Sequence, residues 1–313
     1  MKGEFEFIED IRKAFPTPEG IKGIGDDCAI MPQQDGMETL VSTDMLIEGT
    51  HFLKEDISPY QLGWKSAASN FSDIAAMGGS PVGSFLAIAL PGNVQQGWVD
   101  EFIRGYSDIS LEYGFPLLGG DTTASPDRIS ICVTVLGKAR IGASRRRDTA
   151  EVGDLICVTG SLGDSAAGLQ AILKEQPRTG VVPELIEKHY LPRPRVSEGM
   201  ELAASDGVHA MMDISDGIGS DLRHILKESG CGAEVDVTLL PLSAGLLEFC
   251  GACDMDPVRL ALEGGEDYEL LFTVRPDCER SLKVPHTVIG KITAGNSLAW
   301  KNSDSDYCGF RHF

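Results

Sequence analysis

The sequence has little positive charge for its length. Its 313 residues contain 27 Lys and Arg against 47 Asp and Glu, and the formal net charge is −20. A chain this acidic repels nucleic acids and anionic membrane surfaces, so we expect neither among its partners. It can still bind an anionic small molecule if metal ions bridge the two.

Other familiar signals are also missing. No run approaches the roughly 20 apolar residues of a membrane-spanning helix, and the start MKGEFEFIEDIRKAF has no signal-peptide core. We therefore expect a cytoplasmic protein. The phosphate-binding pattern G-x-x-x-x-G-K-[ST] does not occur, nor does a G-x-G-x-x-G that follows a strand. The C-x-x-C pair Cys250–Cys253 lacks the second pair of ligands that a zinc site usually needs.

Strand and helix patterns occur in both halves of the chain, which favours an α/β fold. The polar segment 138–154 has no clear period, and we place a domain boundary inside it, giving domains 1–140 and 141–313. Segment 175–195 is polar and rich in proline, and we expect an irregular connection there. Strands are predicted over 38–46, 84–90, 115–121, 129–137, 154–160, 233–237, 267–274 and 286–292. Helices are predicted over 5–15, 58–79, 95–113, 163–175 and 195–206. A strand that leads into a helix is predicted over 210–226.

Acidic residues recur within apolar frames, where an unpaired carboxylate is costly to bury. Asp213 and Asp216 lie where the apolar run 210–212 meets a helix, and no basic residue follows before Arg223. The set also includes Asp26, Asp27, Asp44, Asp73, Asp121, Glu266 and Asp267. Mg²⁺ prefers oxygen ligands and is held by a few carboxylates together with substrate phosphates. The sequence therefore predicts a magnesium site.

Each of these features also has an ordinary structural explanation. Asp216 could cap the helix that follows, Asp121 and Asp213 could end strands at a wet edge, and Asp26 with Asp27 could form a turn. The run 145–147, three arginines, is either a solvated stretch or a phosphate clamp. The segment TGSLGDSAAG, 159–168, is either a tight turn or a set of backbone amides that holds an anion.

Seven motifs resemble, in the same order, those of the thiamine-monophosphate kinase family: GIGDDCAI, VSTDMLIEGTHF, NFSDIAAMGG, LLGGDTT, VTGSLGDSAAGL, MDISDGIGSDL and EGGEDYELLFT. The ending GFRHF is similar too, and the resemblance runs from about residue 4 to 313. It implies transfer of the γ-phosphoryl group of ATP to thiamine monophosphate, assisted by several Mg²⁺ ions. It also implies the two-domain aminoimidazole-ribonucleotide-synthetase-like architecture with mixed sheets. The N-terminal domain would bind ATP and Mg²⁺ and form a homodimer through its sheet, and the C-terminal domain would complete the site.

The resemblance also implies roles for individual residues, of which Asp44, Asp121 and Asp213 would be catalytic. The implied Mg²⁺ ligands are Asp27, Ser42, Thr43, Asp44, Asp73, Asp121, Asp213 and Asp216. The implied ATP contacts are Tyr106, Gly120, Asp121, Arg147 and Ser215, and the implied contacts to thiamine monophosphate are His51, Glu266 or Asp267, and Phe310. The family usually has one arginine where this chain has three, so Arg146 and Arg147 are alternatives for the ATP contact.

Two other classes are compatible with these motifs. Related ATP-using enzymes include selenophosphate synthetases, which resemble this chain but carry a reactive Cys near the N-terminus, unlike Cys28 within GDDCAI. Hydrogenase-maturation relatives end in Cys, whereas this chain ends in RHF. A non-catalytic metal-binding protein is the alternative from a different class, and it would bind metal without turning over ATP.

Overall fold

The computed structural model describes residues 6, 8, 9, 19–33 and 35–310. The helix predicted over 5–15 falls almost entirely outside this range, as do the last three residues of the ending GFRHF. The described part contains two mixed sheets and eight α-helices, which confirms the predicted α/β class. Within this part, no helix is both long enough and apolar enough to cross a membrane.

The first sheet has five strands in the order β1-β2-β5-β3-β4. They are β1 (Ala29–Pro32), β2 (Met37–Ile47), β3 (Ser80–Pro91), β4 (Leu117–Ser125) and β5 (Ser130–Arg140). Only β3 and β4 pair in parallel among these neighbours. The strands predicted over 38–46, 84–90 and 129–137 are confirmed, whereas β1 is not predicted by the pattern. β4 begins later and runs further than predicted, so Asp121 lies inside it.

Helix α1 (Pro59–Ala76) packs on β2 and β5, and α2 (Gln96–Tyr113) packs on α1. α1 begins as predicted, because Ser58 Oγ accepts a hydrogen bond from Gln61 N and the Gln61 side chain accepts one from Ser58 N. This reciprocal capping satisfies two backbone donors that would otherwise lack a partner. Gly78, with φ of +65°, follows the end of α1 as predicted.

Two glycines let α1 and α2 touch backbone to backbone. A Cβ atom on Gly63 would lie 2.0 Å from Phe102 O, and one on Gly105 would lie 1.9 Å from Tyr60 O. Such contacts are far too short for any other residue, so the close crossing of the two helices depends on glycine at both positions.

The second sheet has six strands in the order β11-β8-β10-β6-β9-β7. They are β6 (Leu155–Val158), β7 (Val208–Asp213), β8 (Gly232–Asp236), β9 (Leu270–Val274), β10 (Thr287–Thr293) and β11 (Leu298–Lys301). The helices are α3 (Asp164–Leu173), α4 (Val182–Tyr190), α5 (Val196–Ala203), α6 (Ile218–Ser229), α7 (Ala244–Cys253) and α8 (Pro257–Glu263). The sequence pattern does not predict α4, α7, α8 or β11, and α4 replaces part of the expected irregular connection.

Helix α1 lies between the two halves of the molecule. Besides the first sheet, it packs against α5 and β7 of the second half. One apolar core runs from the first sheet and its helices to one face of the second sheet, and a second core covers the other face. α1 can therefore bring its side chains to residues of the second half, and this places the site described next.

Candidate active site

Three of the predicted acidic residues converge in space. Asp27, Asp73 and Asp213 each offer an oxygen atom, and these atoms lie within 4.8 Å of one another. Asp27 precedes β1, Asp73 lies on α1, and Asp213 ends β7. Asp44, on β2, is close enough to raise the pKa values of Asp73 and Asp213. We call these four residues the acidic cluster.

Few groups compensate the charge of the acidic cluster. Arg147 donates hydrogen bonds to both carboxylate oxygens of Asp27, from Nη2 to Oδ1 at 2.6 Å and from Nε to Oδ2 at 3.3 Å. Ser72 Oγ donates to Asp213 at 2.5 Å, and Ser42 forms a hydrogen bond with Asp73. Among the described residues at this site, one guanidinium therefore faces four carboxyl groups.

Burial and mutual repulsion disturb the ionisation of these acids. Burial, followed by the Asp27 carboxylate, raises the pKa of Asp213 to about 8. Burial also raises the pKa of Asp73 well above its ordinary value, with Asp44 and Asp213 adding to the effect. Asp44 is exposed, yet desolvation by the surrounding groups, followed by the Asp27 carboxylate, raises its pKa too. Such a concentration of oxygen ligands and unmet negative charge fits divalent cations of the hard, oxygen-preferring kind.

Without metal, the protein is expected to lose stability as the pH rises from about 5 to about 8. The pKa of Asp213 is about 8 in the folded protein against an ordinary 3.8. The folded state therefore binds more protons than the unfolded state between these values, and its stability falls as pH rises. The melting temperature in EDTA should fall less with pH for Asp213→Asn than for wild type. Asp277→Asn, at an exposed pair with Arg275, is the control, and equal falls in wild type and Asp213→Asn would contradict the prediction.

The other predicted Mg²⁺ ligands on β2 and after β7 have different surroundings. Ser42 contacts Asp73, as described above, whereas Thr43 Oγ1 donates across the sheet to Val133 O at 3.0 Å. Asp216 lies in the loop between β7 and α6, and its backbone N donates to Asp221 Oδ2 at 3.2 Å. The residue that caps α6 is Gly217 rather than Asp216, so the capping explanation for Asp216 is wrong.

Asp121 lies away from the acidic cluster of its own chain. Asp44 shares a row across the sheet with Val133, Leu86 and Gly120, and Asp121 is the next residue along β4, so its side chain points to the opposite face. β4 is three strands from β2, a separation of about 14 Å. Asp121 is exposed, and one chain by itself does not bring it to the other acids.

The three consecutive arginines have three different environments. Arg145 donates through Nη2 to the carbonyls of Ala203 and Ser205 at 2.6 and 2.8 Å. Arg146 donates to Asp148 at 2.9 Å. Of the three, Arg147 is the one at the acidic cluster, and this favours Arg147 over Arg146 as a contact for phosphate groups.

The remaining predicted ATP contacts lie in two places. Tyr106 is buried, and its hydroxyl donates to Ser84 Oγ at 2.9 Å. Gly120 lies where β4 passes β3 so closely that a Cβ atom would be 1.8 Å from Leu86 O. Ser215 lies instead in the loop after β7, beside the acidic cluster.

Glu266 and Asp267 are neighbours in sequence with different surroundings. Glu266 forms an ion pair with Lys65 at 2.9 Å. It also lies close enough to His51 for that residue to contribute to lowering the pKa of Glu266. Asp267 accepts hydrogen bonds from the backbone N of Gly163 at 2.7 Å and of Ser165 at 3.2 Å. Two amides of the segment TGSLGDSAAG therefore bind a carboxyl group of the chain itself, that of Asp267. Of the pair, Asp267 is thus held by backbone amides, whereas Glu266 is held by the side chain of Lys65.

Three site residues have no strong signal in the sequence. Lys65 is a single lysine on a helix, His189 lies in a segment that reads as irregular, and Asn70 is one polar residue among many. In the structure Lys65 and His189 surround Glu266, and Asn70 Oδ1 accepts from Asp44 N at 3.2 Å. The signal that the sequence offers is that Lys65, Asn70 and Asp73 fall on one predicted helix.

Known proteins share this arrangement of domains. The family model of the AIR synthase related protein, N-terminal domain, matches residues 25–139, and that of the C-terminal domain matches residues 151–301. The fold and the acidic cluster therefore define a member of the AIR synthase related class.

Individual relatives narrow the class. The thiamine-monophosphate kinase of Escherichia coli (strain K12) is 42% identical over 286 residues, which cover 87% of this chain and 84% of that protein. The structure of AaThiL complexed with AMPPCP and TMP is 34% identical, with a TM-score of 0.92 over 99% of this chain and 97% of that chain. This chain belongs to the thiamine-monophosphate kinase family. A chain of the HypE–HypF complex, at 17% identity and a TM-score of 0.72, shares the fold alone.

Proposed function

We propose that this protein transfers the γ-phosphoryl group of ATP to thiamine monophosphate and so forms thiamine diphosphate. The observation that carries the proposal is the convergence of Asp27, Asp73 and Asp213 in a chain of the thiamine-monophosphate kinase family. The acceptor is a phosphate and is already anionic near neutral pH, so the reaction needs no strong general base. The main obstacle is the repulsion between two polyanions, which positioning and positive charge must overcome.

The acidic cluster suits several Mg²⁺ ions. The residues that would hold them are Asp27, Ser42, Thr43, Asp44, Asp73, Asp213 and Asp216, together with Asp121 of a second copy of the chain. Bound Mg²⁺ would shield the repulsion between the phosphates and neutralise the charge that develops during transfer. Arg147, already beside Asp27, adds a fixed positive charge for the ATP phosphates, and Ser215 lies in the adjoining loop.

The adenine ring has a suitable pocket on the first half of the protein. An apolar pocket of about 440 Å³ lies between α2 and strands β3 and β4, and Tyr106, Ile103 and Leu86 line it. Its size falls within the usual range for small-molecule sites. Tyr106 lines this pocket and Gly120 is paired with the lining residue Leu86 in the sheet, which supports both residues as ATP contacts.

A homodimer would explain the position of Asp121. Edge strand β4 and the neighbouring strand expose apolar side chains, among them Leu117, Leu118 and Phe85, and such patches commonly mark protein interfaces. We propose that this surface contacts a second copy and that Asp121 of each copy serves the acidic cluster of the other.

The boundary between the proposed domains remains at residues 140 and 141. It is supported by the end of β5 at Arg140 and the start of β6 at Leu155. A cytoplasmic location is proposed as well, and eight free cysteines suit a reducing compartment.

The proposed reaction has a direct test. Purified protein is incubated with ATP, Mg²⁺ and a panel of phosphorylated vitamins and nucleotides, and the products are identified by mass. Thiamine diphosphate formed only from thiamine monophosphate is the expected result. A different product would indicate another ATP-using enzyme of the class, and metal binding without turnover would indicate a non-catalytic protein.

Phe310→Ala is expected to raise the KM for thiamine monophosphate about tenfold with little change in kcat, because an aromatic contact contributes about 0.5–1.5 kcal/mol beyond its buried area. Phe310 is 51% exposed, and its backbone N donates to Asp216 O at 2.9 Å, so residue 310 lies beside the loop after β7. Leu247→Ala removes another exposed apolar side chain and is the control. An unchanged KM in Phe310→Ala would rule out stacking of Phe310 on the substrate.

A further inference from the structure

Lys65 is a buried cation that joins the two halves of the protein. Its side chain on α1 is 1% exposed, and its Nζ lies 2.9 Å from Oε1 and 3.0 Å from Oε2 of Glu266. Breaking such a pair by removal of one partner is strongly destabilising, because the other charge stays buried without compensation. The positions of Lys65 and the Glu266 carboxylate therefore depend on each other.

His189 on α4 completes the surroundings of Lys65. The Lys65 ammonium can only donate, so His189 Nε2, at 3.3 Å, is the acceptor. His189 Nδ1 then carries the hydrogen and faces Ser165 Oγ at 3.0 Å and Glu266 Oε2 at 3.5 Å. Burial, followed by the charge of Lys65, lowers the pKa of His189 to about 3. The imidazole is thus neutral, and it contacts both members of the ion pair, the Lys65 ammonium through Nε2 and the Glu266 carboxylate through Nδ1.

The backbone around Glu266 is strained. Glu266 and Tyr268 have φ angles of +63° and +50°, a conformation that is unfavourable in residues other than glycine. Two hydrogen bonds hold the segment against the loop after β7: Glu266 N to Ser215 O at 2.8 Å, and Tyr268 N to Ile214 O at 2.9 Å. Strain of this kind is kept where the surrounding structure determines one conformation, as it does at many functional sites.

The two partners of the Lys65–Glu266 ion pair differ in their exposure to solvent. Glu266 is 29% exposed in its side chain while Lys65 is 1% exposed, so the carboxylate presents an anionic edge to solvent and its counter-ion stays hidden behind it. Glu266 also lies beside the loop that follows Asp213 and carries Asp216. An anionic edge next to the phosphoryl-transfer region suits a substrate that has a cation at a fixed distance from its phosphate.

We propose that Lys65 is a positioning residue, which fixes the Glu266 carboxylate so that it meets the cationic, thiazolium-bearing half of thiamine monophosphate. The inference rests on the proposed function and adds to it the origin of selectivity for a cationic phosphate ester. Lys65 itself does not touch the substrate. Substitution of Lys65 should therefore change the binding of thiamine monophosphate only by displacing the Glu266 carboxylate.

A double-mutant cycle tests this dependence. Lys65→Met, Glu266→Gln and the double variant are compared with wild type for kcat, for the KM values of ATP and thiamine monophosphate, and for melting temperature. Each single change is expected to raise the KM for thiamine monophosphate about tenfold or more, with the KM for ATP within about twofold of wild type. The double variant should match Glu266→Gln, because Lys65 has no effect once the carboxylate is gone.

Lys188→Met is the matched control. Lys188 precedes His189 and pairs with Asp164 at 2.6 Å, so the same substitution there removes an ion pair without touching Glu266. It should leave the KM for thiamine monophosphate unchanged. A Lys65→Met protein with lower melting temperature but wild-type KM would overturn the proposal, as would multiplied KM effects in the double variant.

Two precautions keep the outcome clear. If Lys65→Met does not fold, the double variant removes both charges of the pair and is expected to fold. A KM equal to that of Glu266→Gln then supports the proposal, and a higher one overturns it. Absence of thiamine diphosphate formation by the wild-type protein would instead reject the proposed function, so the two failures are distinguishable.

Discussion

Asp44→Asn is expected to lower turnover about a thousandfold and to leave the protein folded. Loss of one charged ligand removes several kcal/mol of electrostatic stabilisation from the transition state, and each 1.36 kcal/mol is a factor of ten in rate. Asp44 also lies next to Asp73, whose pKa it raises, so its neutralisation relieves repulsion in the metal-free protein. The melting temperature without metal should therefore stay equal or rise.

Single-turnover rates with Mg²⁺ in excess provide the measurement, and circular dichroism checks the fold. Asp277→Asn, the exposed carboxylate used above as a control, should keep wild-type turnover. Asp44→Asn with turnover close to wild type, under the same Mg²⁺ excess, would refute the assignment of the acidic cluster as the reaction centre.

Mixing two inactive variants is expected to restore about a quarter of the wild-type activity. Asp121→Asn and Asp44→Asn should each be nearly inactive as pure proteins. Asp121 lies on the opposite face of its own sheet from Asp44, so in the proposed homodimer it serves the other subunit. A mixed dimer then has one site with both carboxylates intact and one site with neither, and random exchange makes half of the dimers mixed.

Subunit exchange must be verified in the same experiment, for example by mass spectrometry of differently tagged chains. The double variant Asp44→Asn/Asp121→Asn, mixed with wild type, is the control: each site of its mixed dimers lacks one carboxylate, so mixing should not increase activity beyond that of the wild-type dimers. If verified mixed dimers of the two single variants stay inactive, Asp121 acts within its own chain or not at all.

Long elements with strong local signals could be predicted from the sequence. Ser58, Pro59 and the apolar stripe define α1 without reference to the rest of the chain. Helix α4 is different: it is only nine residues long and lies in a proline-rich segment, so its stability depends on burial of Leu185, Ile186 and Tyr190 against other elements. Sequence patterns do not contain that tertiary contribution, and the short strands β1 and β11 are missed for the same reason.

The acids of the candidate site were visible because carboxylates in apolar surroundings need an explanation. Their grouping follows from where the strands and α1 end, which the resemblance anticipated. Lys65 could not be found in this way, since most lysines on helices are solvated and only the fold shows that this one is buried. The choice between Glu266 and Asp267 also needed the structure, because it depends on backbone amides more than a hundred residues earlier.

Helix α1, which packs closely against α2 at Gly63 and Gly105, also sets a distance within the site. Lys65 and Asp73 are separated by eight residues of the same helix, which corresponds to about 12 Å along its axis. The end of the site that holds Glu266 and the end that holds the metal ligands are therefore kept at a constant spacing. An acceptor whose phosphate and ring system are further apart could be accommodated only by a longer helix, and one additional turn would extend the reach by about 5.4 Å.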